Sequence, residues 1–361
     1  MSTRKIILFC ALTISLGWLL QFALLAKYGS ADNPAALPLG LCIMCSPALV
    51  TLGFASFDRE SRKRICWRPK WPLLPLSILA FVVPTLIAFA TLFAMKLFRW
   101  GTSEWFVFSR SGVAVTGGPW LLGKSAQTWA KFIANVVVTG GAFAFLNGLG
   151  AIGEELGWRG FLQGLLVERL GINRGLTLLG LIWAFWHLPL LLTGYNYPQH
   201  PLLGAFILFP AQLVAGSFFL GWLTIRSGSF WAAAVAHGAV NSIEEGVLSH
   251  ILVNGPHLYL DFSRLFFTVL TGLVFWLLLR RANPNTQRVT PKARMTKSIY
   301  LSSDLLPDFP ADFPRGFLLY FLLPLNRARR FRTNIVNNPA HPRHLIHHPR
   351  RDTPQHIHRQ S

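Results

Sequence analysis

Apolar residues in this chain fall into long blocks separated by short polar and basic stretches. Eight blocks stand out, near 6–26, 38–57, 72–97, 129–153, 175–194, 202–225, 230–247 and 264–279. A helix needs about 20 apolar residues to cross the hydrocarbon core of a bilayer. The pattern therefore predicts an all-α, polytopic membrane protein with about eight transmembrane helices. Arg4 and Lys5 ahead of the first block resemble the basic flank of a signal peptide. The apolar stretch that follows is longer than the roughly 7–15 residues of a signal h-region, so a retained helix is expected. The seventh block is the weakest, because it contains His237, Asn241, Glu244 and Glu245.

Loop charge sets the expected orientation, since basic loops stay in the cytoplasm. Arg59, Arg62, Lys63, Arg64, Arg68 and Lys70 lie between blocks two and three, Arg159, Arg169 and Arg174 follow block four, and Arg226 follows block six. The opposite side carries Lys27 and, in one long loop, Arg99, Arg110 and Lys124. Both termini are thus expected in the cytoplasm, as an even number of spans requires.

Composition agrees with this class. The chain is 52% hydrophobic and 13% charged, against about a quarter charged in soluble proteins. The formal charge of +20 divides into two parts. From Arg280 onward there are fifteen Lys/Arg and four Asp; the rest of the excess sits mostly in the cytoplasmic loops, where it sets topology and meets anionic lipid. No nucleic-acid partner is expected. Residues 1–281 form the expected membrane domain and 282–361 a basic, Pro/His-rich tail read as disordered and cytoplasmic. The tail histidines (His341, His344, His347, His348, His356, His358) have irregular spacing with no framing acid or cysteine, so a metal role is set aside. Cys42 and Cys45 have thioredoxin-like spacing but lie within an apolar block, where cysteine behaves as a small hydrophobe.

Ionisable residues inside membrane spans are costly, and each is a functional hypothesis. Lys96 and Lys131 lie near span ends and can snorkel. The run Gly153–Leu162, "GEELGWRGFL", is different. On a helix, Glu155 and Arg159 are four apart in the favoured acid-before-base order, whereas Glu154 points about 100° away. One carboxylate is then neutralised while its neighbour stays available as a general base. Gly153 with Gly157, and Gly160 with Gly164, are small pairs that allow close helix approach. His187 lies in block five, and His237 and Asn241, again four apart, share a face in block seven. Glu244 and Glu245 are expected in a lumen-side or outer interfacial role.

These residues resemble the three motifs of the CPBP intramembrane proteases: Glu154-Glu155-x-x-x-Arg159, an aromatic-x-x-x-His from Trp183 to His187, and His237-x-x-x-Asn241. That family comprises CAAX endopeptidases and bacterial and archaeal relatives linked to bacteriocin processing and immunity, and its motif-bearing core corresponds to 129–247 here. The resemblance implies an intramembrane glutamic endopeptidase acting on a membrane-associated protein or peptide in the bilayer, in the plasma (inner) membrane of a prokaryote. It implies Glu154 as the base that activates water, His187 as the residue that orients that water, His237 and Asn241 as the oxyanion site, and Glu155 and Arg159 as supports. No cofactor is expected. The second motif usually begins with Phe; Trp183 stands there and alters the shape of the cleft. Three other readings stay open: a zinc-dependent hydrolase, because Glu and His are zinc ligands; a non-catalytic immunity or binding protein of the same fold; and, ranked below these, a transporter.

Overall fold

The computed structural model describes residues 3–69 and 73–282. Apart from Ala282, the tail 282–361 lies outside the described residues, and so do its histidines. Helices make up 77% of the described residues. The chain is an integral membrane protein of the all-α class.

The helices are α1 (Thr3–Tyr28), α2 (Leu37–Phe57), α3 (Arg59–Arg64), α4 (Leu73–Leu97), α5 (Trp129–Gly157), α6 (Gln163–Leu170), α7 (Ile172–Trp186), α8 (Leu188–Leu192), α9 (Pro201–Leu203), α10 (Phe209–Ser227), α11 (Trp231–Ala239), α12 (Glu245–Leu248) and α13 (Leu258–Ala282). Single π-helical turns at Trp158–Leu162, Gly204–Leu208 and Val240–Glu244 join α5 to α6, α9 to α10 and α11 to α12.

Among the described residues, six stretches are helices long and apolar enough to cross a membrane: Thr3–Tyr28, Pro34–Phe57, Leu73–Leu97, Trp129–Leu170, Pro201–Ser227 and Leu258–Arg281. The fifth and seventh apolar blocks are each divided into shorter segments, α7–α8 and α11–α12, packed among the others. Pro189 explains the break after α7. Its ring nitrogen has no hydrogen to donate, so the Phe185 carbonyl four residues earlier loses its helical partner. Trp18 of α1 donates its indole N–H to that carbonyl at 3.2 Å, and the Gln21 amide donates to the next one, Trp186, at 2.7 Å. Gly17 makes the approach possible, since a Cβ there would lie 1.9 Å from the Trp186 indole nitrogen.

The basic stretches gather on one face of the helical body. Lys5 pairs with Asp58 and Arg64 with Glu168, while the Cys66 amide donates to the Gly160 carbonyl at 3.2 Å. Asp58 also caps α3 by accepting from the Glu60 and Ser61 amides. The hydrogen bonds from Lys5 and Ser61 hold its carboxyl at about 2.

The long loop between α4 and α5 is not irregular. It forms a three-stranded antiparallel sheet of β2 (Phe106–Phe108), β3 (Gly112–Val115) and β4 (Ala126–Thr128). Its first strand, β1 (Gly101–Ser103), pairs antiparallel with β5 (Ile251–Val253). Trp105 stacks on His250 with ring centroids 4.0 Å apart and packs edge-on to Trp120. Strands of three or four residues are too short for period-two alternation to be read from sequence.

Close helix approach depends on particular glycines. A Cβ at Gly238 of α11 would lie 2.2 Å from both the Ala144 carbonyl oxygen and the Gly148 nitrogen of α5. Gly153 and Gly157 do the same against α2, where a Cβ would meet the Met44 oxygen at 2.7 Å and Pro47 at 2.4 Å. The second expected pair is unequal: Gly160 sits 3.3 Å from Phe230 by the same construction, but nothing lies within 4 Å of Gly164. Cys42 and Cys45 are free thiols on the exposed side of α2, not buried packing residues.

Gly238→Ala should lower the thermal midpoint of the detergent-solubilised chain, because forced overpacking costs about 1–3 kcal/mol. Gly164→Ala should leave it unchanged or slightly higher, as alanine is the better helix former. Equal midpoints for the two variants would show that α5 and α11 are not in backbone contact.

Candidate active site

The α5–α6 helix carries both glutamates and the arginine in its most buried stretch. Glu155 and Arg159 have completely buried side chains, and Arg159 Nη1 donates to Glu155 Oε1 at 2.9 Å. The same oxygen lies 2.9 Å from Nδ1 of His237. Glu155 therefore ties the α5–α6 helix to α11. Arg159 is further held by the face of Trp183, with 4.1 Å from guanidinium carbon to ring centroid, and by Ser217 Oγ of α10 at 3.5 Å. The π-helical turn begins at Trp158 and contains Arg159; such turns inside α-helices frequently occur at functional sites.

Glu154 makes a different contact. Its Oε2 accepts from the Trp183 indole Nε1–H at 2.7 Å, and its Oε1 takes no hydrogen bond from a described residue. The difference in direction expected from the helical repeat is present: Glu155 faces the arginine, Glu154 faces α7.

His187 stands at the break between α7 and α8. Its Nδ1 lies 2.9 Å from the Trp183 carbonyl oxygen. A carbonyl only accepts, so Nδ1 carries the hydrogen and Nε2 keeps its lone pair. His187 is thus set to accept a hydrogen bond from a water. His237 also donates from Nδ1, here to the Glu155 carboxylate, which leaves its Nε2 edge turned away from that bond.

Glu154, His187, His237 and Asn241 all line one cavity of about 290 Å³. Asn241 sits in the third π-helical turn, one turn beyond His237. Glu155 and Arg159 lie behind the wall. Sequence reasoning missed the far end of the cavity. There Glu244 and Glu245 bind Arg264 of α13, Glu244 at 2.9 Å from the guanidinium Nε. Glu244 is only 2% exposed, so the outer interfacial role expected for it is replaced by a buried ion cluster. Arg264 is far away in sequence and lies in a block that reads as a plain span. Tyr195 borders the same end, and burial pushes its phenol well above the ordinary range, keeping it a neutral donor. Among the described residues, no three of His, Cys, Asp and Glu converge as a metal-ligand set.

Residues 138–243, which hold all seven motif residues, match the profile of the family described as type II CAAX prenyl endopeptidase Rce1-like. The match supports the likeness to the CPBP proteases read from the motifs. Across 106 residues the chain is also 28% identical to a protein named CAAX prenyl protease 2 from Methanococcus maripaludis. That alignment covers 28% of this chain and 39% of the relative, so the likeness is confined to one stretch of each. The family match runs from mid-α5 to the third π-helical turn, the elements that wall the cavity.

Removing one member of a buried ion pair leaves an uncompensated charge and costs about 3–5 kcal/mol. Glu155→Gln and Arg159→Met should each lower the thermal midpoint and folded yield in detergent. Glu154→Gln, which keeps an acceptor for Trp183, should leave both near wild type. Three equal midpoints would contradict a structural division between the two glutamates.

Proposed function

We propose that the chain is an intramembrane endopeptidase that hydrolyses a peptide bond of a membrane-associated protein or peptide, using a glutamate and no metal. The observation that carries this reading is the convergence of Glu154, His187, His237 and Asn241 on one cavity inside the helical body. A water held by the His187 Nε2 lone pair gives a proton to Glu154 Oε1 as its oxygen attacks the scissile carbonyl. The tetrahedral oxyanion is met by the Nε2–H of His237 and the side-chain amide of Asn241, donors fixed before the reaction begins. Glu154 then returns the proton to the leaving amine. Glu155 and Arg159 hold His237 in place without touching substrate.

The likeness to that family and the name of the archaeal relative support a CAAX-type substrate. An internally quenched, farnesylated peptide with a CAAX-type C-terminus is the appropriate first probe. Loss of one oxyanion donor typically costs about 100- to 1000-fold in turnover, so Asn241→Ala should fall by that order and Glu154→Gln should abolish cleavage. Activity should survive dialysis against a strong chelator. A zinc whose removal stops cleavage and whose return restores it would replace this mechanism with a metal-dependent one. Full wild-type phenotype in a Glu154→Ala strain would favour the non-catalytic reading.

The loop charges and the gathering of basic residues on one face support cytoplasmic termini, in the plasma (inner) membrane of a prokaryotic cell. Reporter fusions after Lys70 and after Arg281 should both report cytoplasm; an external signal at either point would overturn this topology.

A further inference from the structure

Trp183 touches more of the site than any other single residue. Its indole N–H donates to Glu154 Oε2 at 2.7 Å, its ring face covers the Arg159 guanidinium at 4.1 Å, and its ring meets His237 edge-on with centroids 5.3 Å apart. Its backbone carbonyl fixes the tautomer of His187. The side chain is 4% exposed, so these contacts are made away from bulk water.

We propose that Trp183 is a positioning residue that determines which oxygen of Glu154 acts as the base. This rests on the reading of Glu154 given above. A carboxylate has two equivalent oxygens and rotates about its last bond. With Oε2 occupied by the indole N–H, rotation is arrested and Oε1 alone is left for water. The bond is charge-assisted but the donor is neutral, so it orients the carboxylate without neutralising it. A cation in the same place would form an ion pair and weaken the base. Arg159 is instead held over the face of the Trp183 ring by Glu155 and Ser217. Phenylalanine, which usually occupies this motif position, supplies a ring face but no N–H.

The test uses the full-length chain in lipid nanodiscs and the quenched farnesylated peptide. Trp183→Phe keeps an aromatic face over Arg159 and removes the donor. Incorporation of benzothienylalanine at position 183 keeps the bicyclic shape and removes only the N–H, so it separates hydrogen bonding from packing. Both should lower kcat about 10- to 100-fold, the range for one charge-assisted bond, with KM changed less than twofold. Independently of cleavage, the ¹⁵N–¹H indole resonance that disappears in Trp183→Phe should move upfield in Glu154→Ala. Wild-type kcat with benzothienylalanine, or an indole resonance unmoved by Glu154→Ala, would sink the proposal. Retained cleavage by Glu154→Gln would instead remove the parent reading of Glu154 as base, whatever the indole resonance does.

Discussion

A guanidinium and a carboxylate buried completely among apolar helices are the constraint around which the rest is arranged. Taking two such charges out of water costs several kcal/mol each even after relaxation, and their attraction repays this only with good geometry. Here the repayment is incomplete: Arg159 Nε and Glu155 Oε2 have no hydrogen-bond partner. The pair is therefore a poor source of stability. Its effect is to fix direction, because Glu155 Oε1 serves Arg159 and His237 at once. With Trp183 and Ser217 on the guanidinium, the α5–α6 helix, α7, α10 and α11 are all indexed to one group.

Regular helices would not place these side chains together. Arg159 and Asn241 both sit in π-helical turns, and His187 sits where α7 stops. Each irregularity exposes backbone groups that must find partners inside a membrane, where water is absent. The carbonyls released at the Pro189 break are taken up by Trp18 and Gln21, two polar side chains on an otherwise apolar α1. The site thus depends on α1, which reaches the break through Trp18 and Gln21, and on Gly17, which lets that helix approach.

The membrane class, and the residues that the structure brings to one cavity, were legible because charge is so scarce in this chain that each ionisable residue inside an apolar block stands out. The i, i+4 spacings of Glu155/Arg159 and His237/Asn241 carried local geometry for the same reason. Three things were not legible. Hydropathy counts apolar residues and does not register a broken helix, so the breaks within blocks five and seven were invisible. The short β-strands are smaller than the window in which alternation can be recognised. Arg264 pairs with Glu244 and Glu245 across 20 and 19 positions of sequence, and no local spacing rule reaches that far. Trp183 was visible as a departure from the motif, but only coordinates reveal that its N–H meets Glu154.

The charge inventory of the site follows from the same contacts. Two carboxyl side chains, Glu154 and Glu155, share the buried site with one guanidinium, Arg159, and two imidazoles, His187 and His237. A low-dielectric interior penalises any uncompensated charge, and Glu155 Oε1 meets both Arg159 and Nδ1 of His237. In the proposed mechanism a proton would pass from water to Glu154 while negative charge develops on the substrate oxygen beside His237 and Asn241, so the total would stay unchanged and charge would only be redistributed inside the cavity. Arg159 is accordingly needed before substrate arrives: without it two adjacent carboxyl groups would share the buried site with no permanent positive charge.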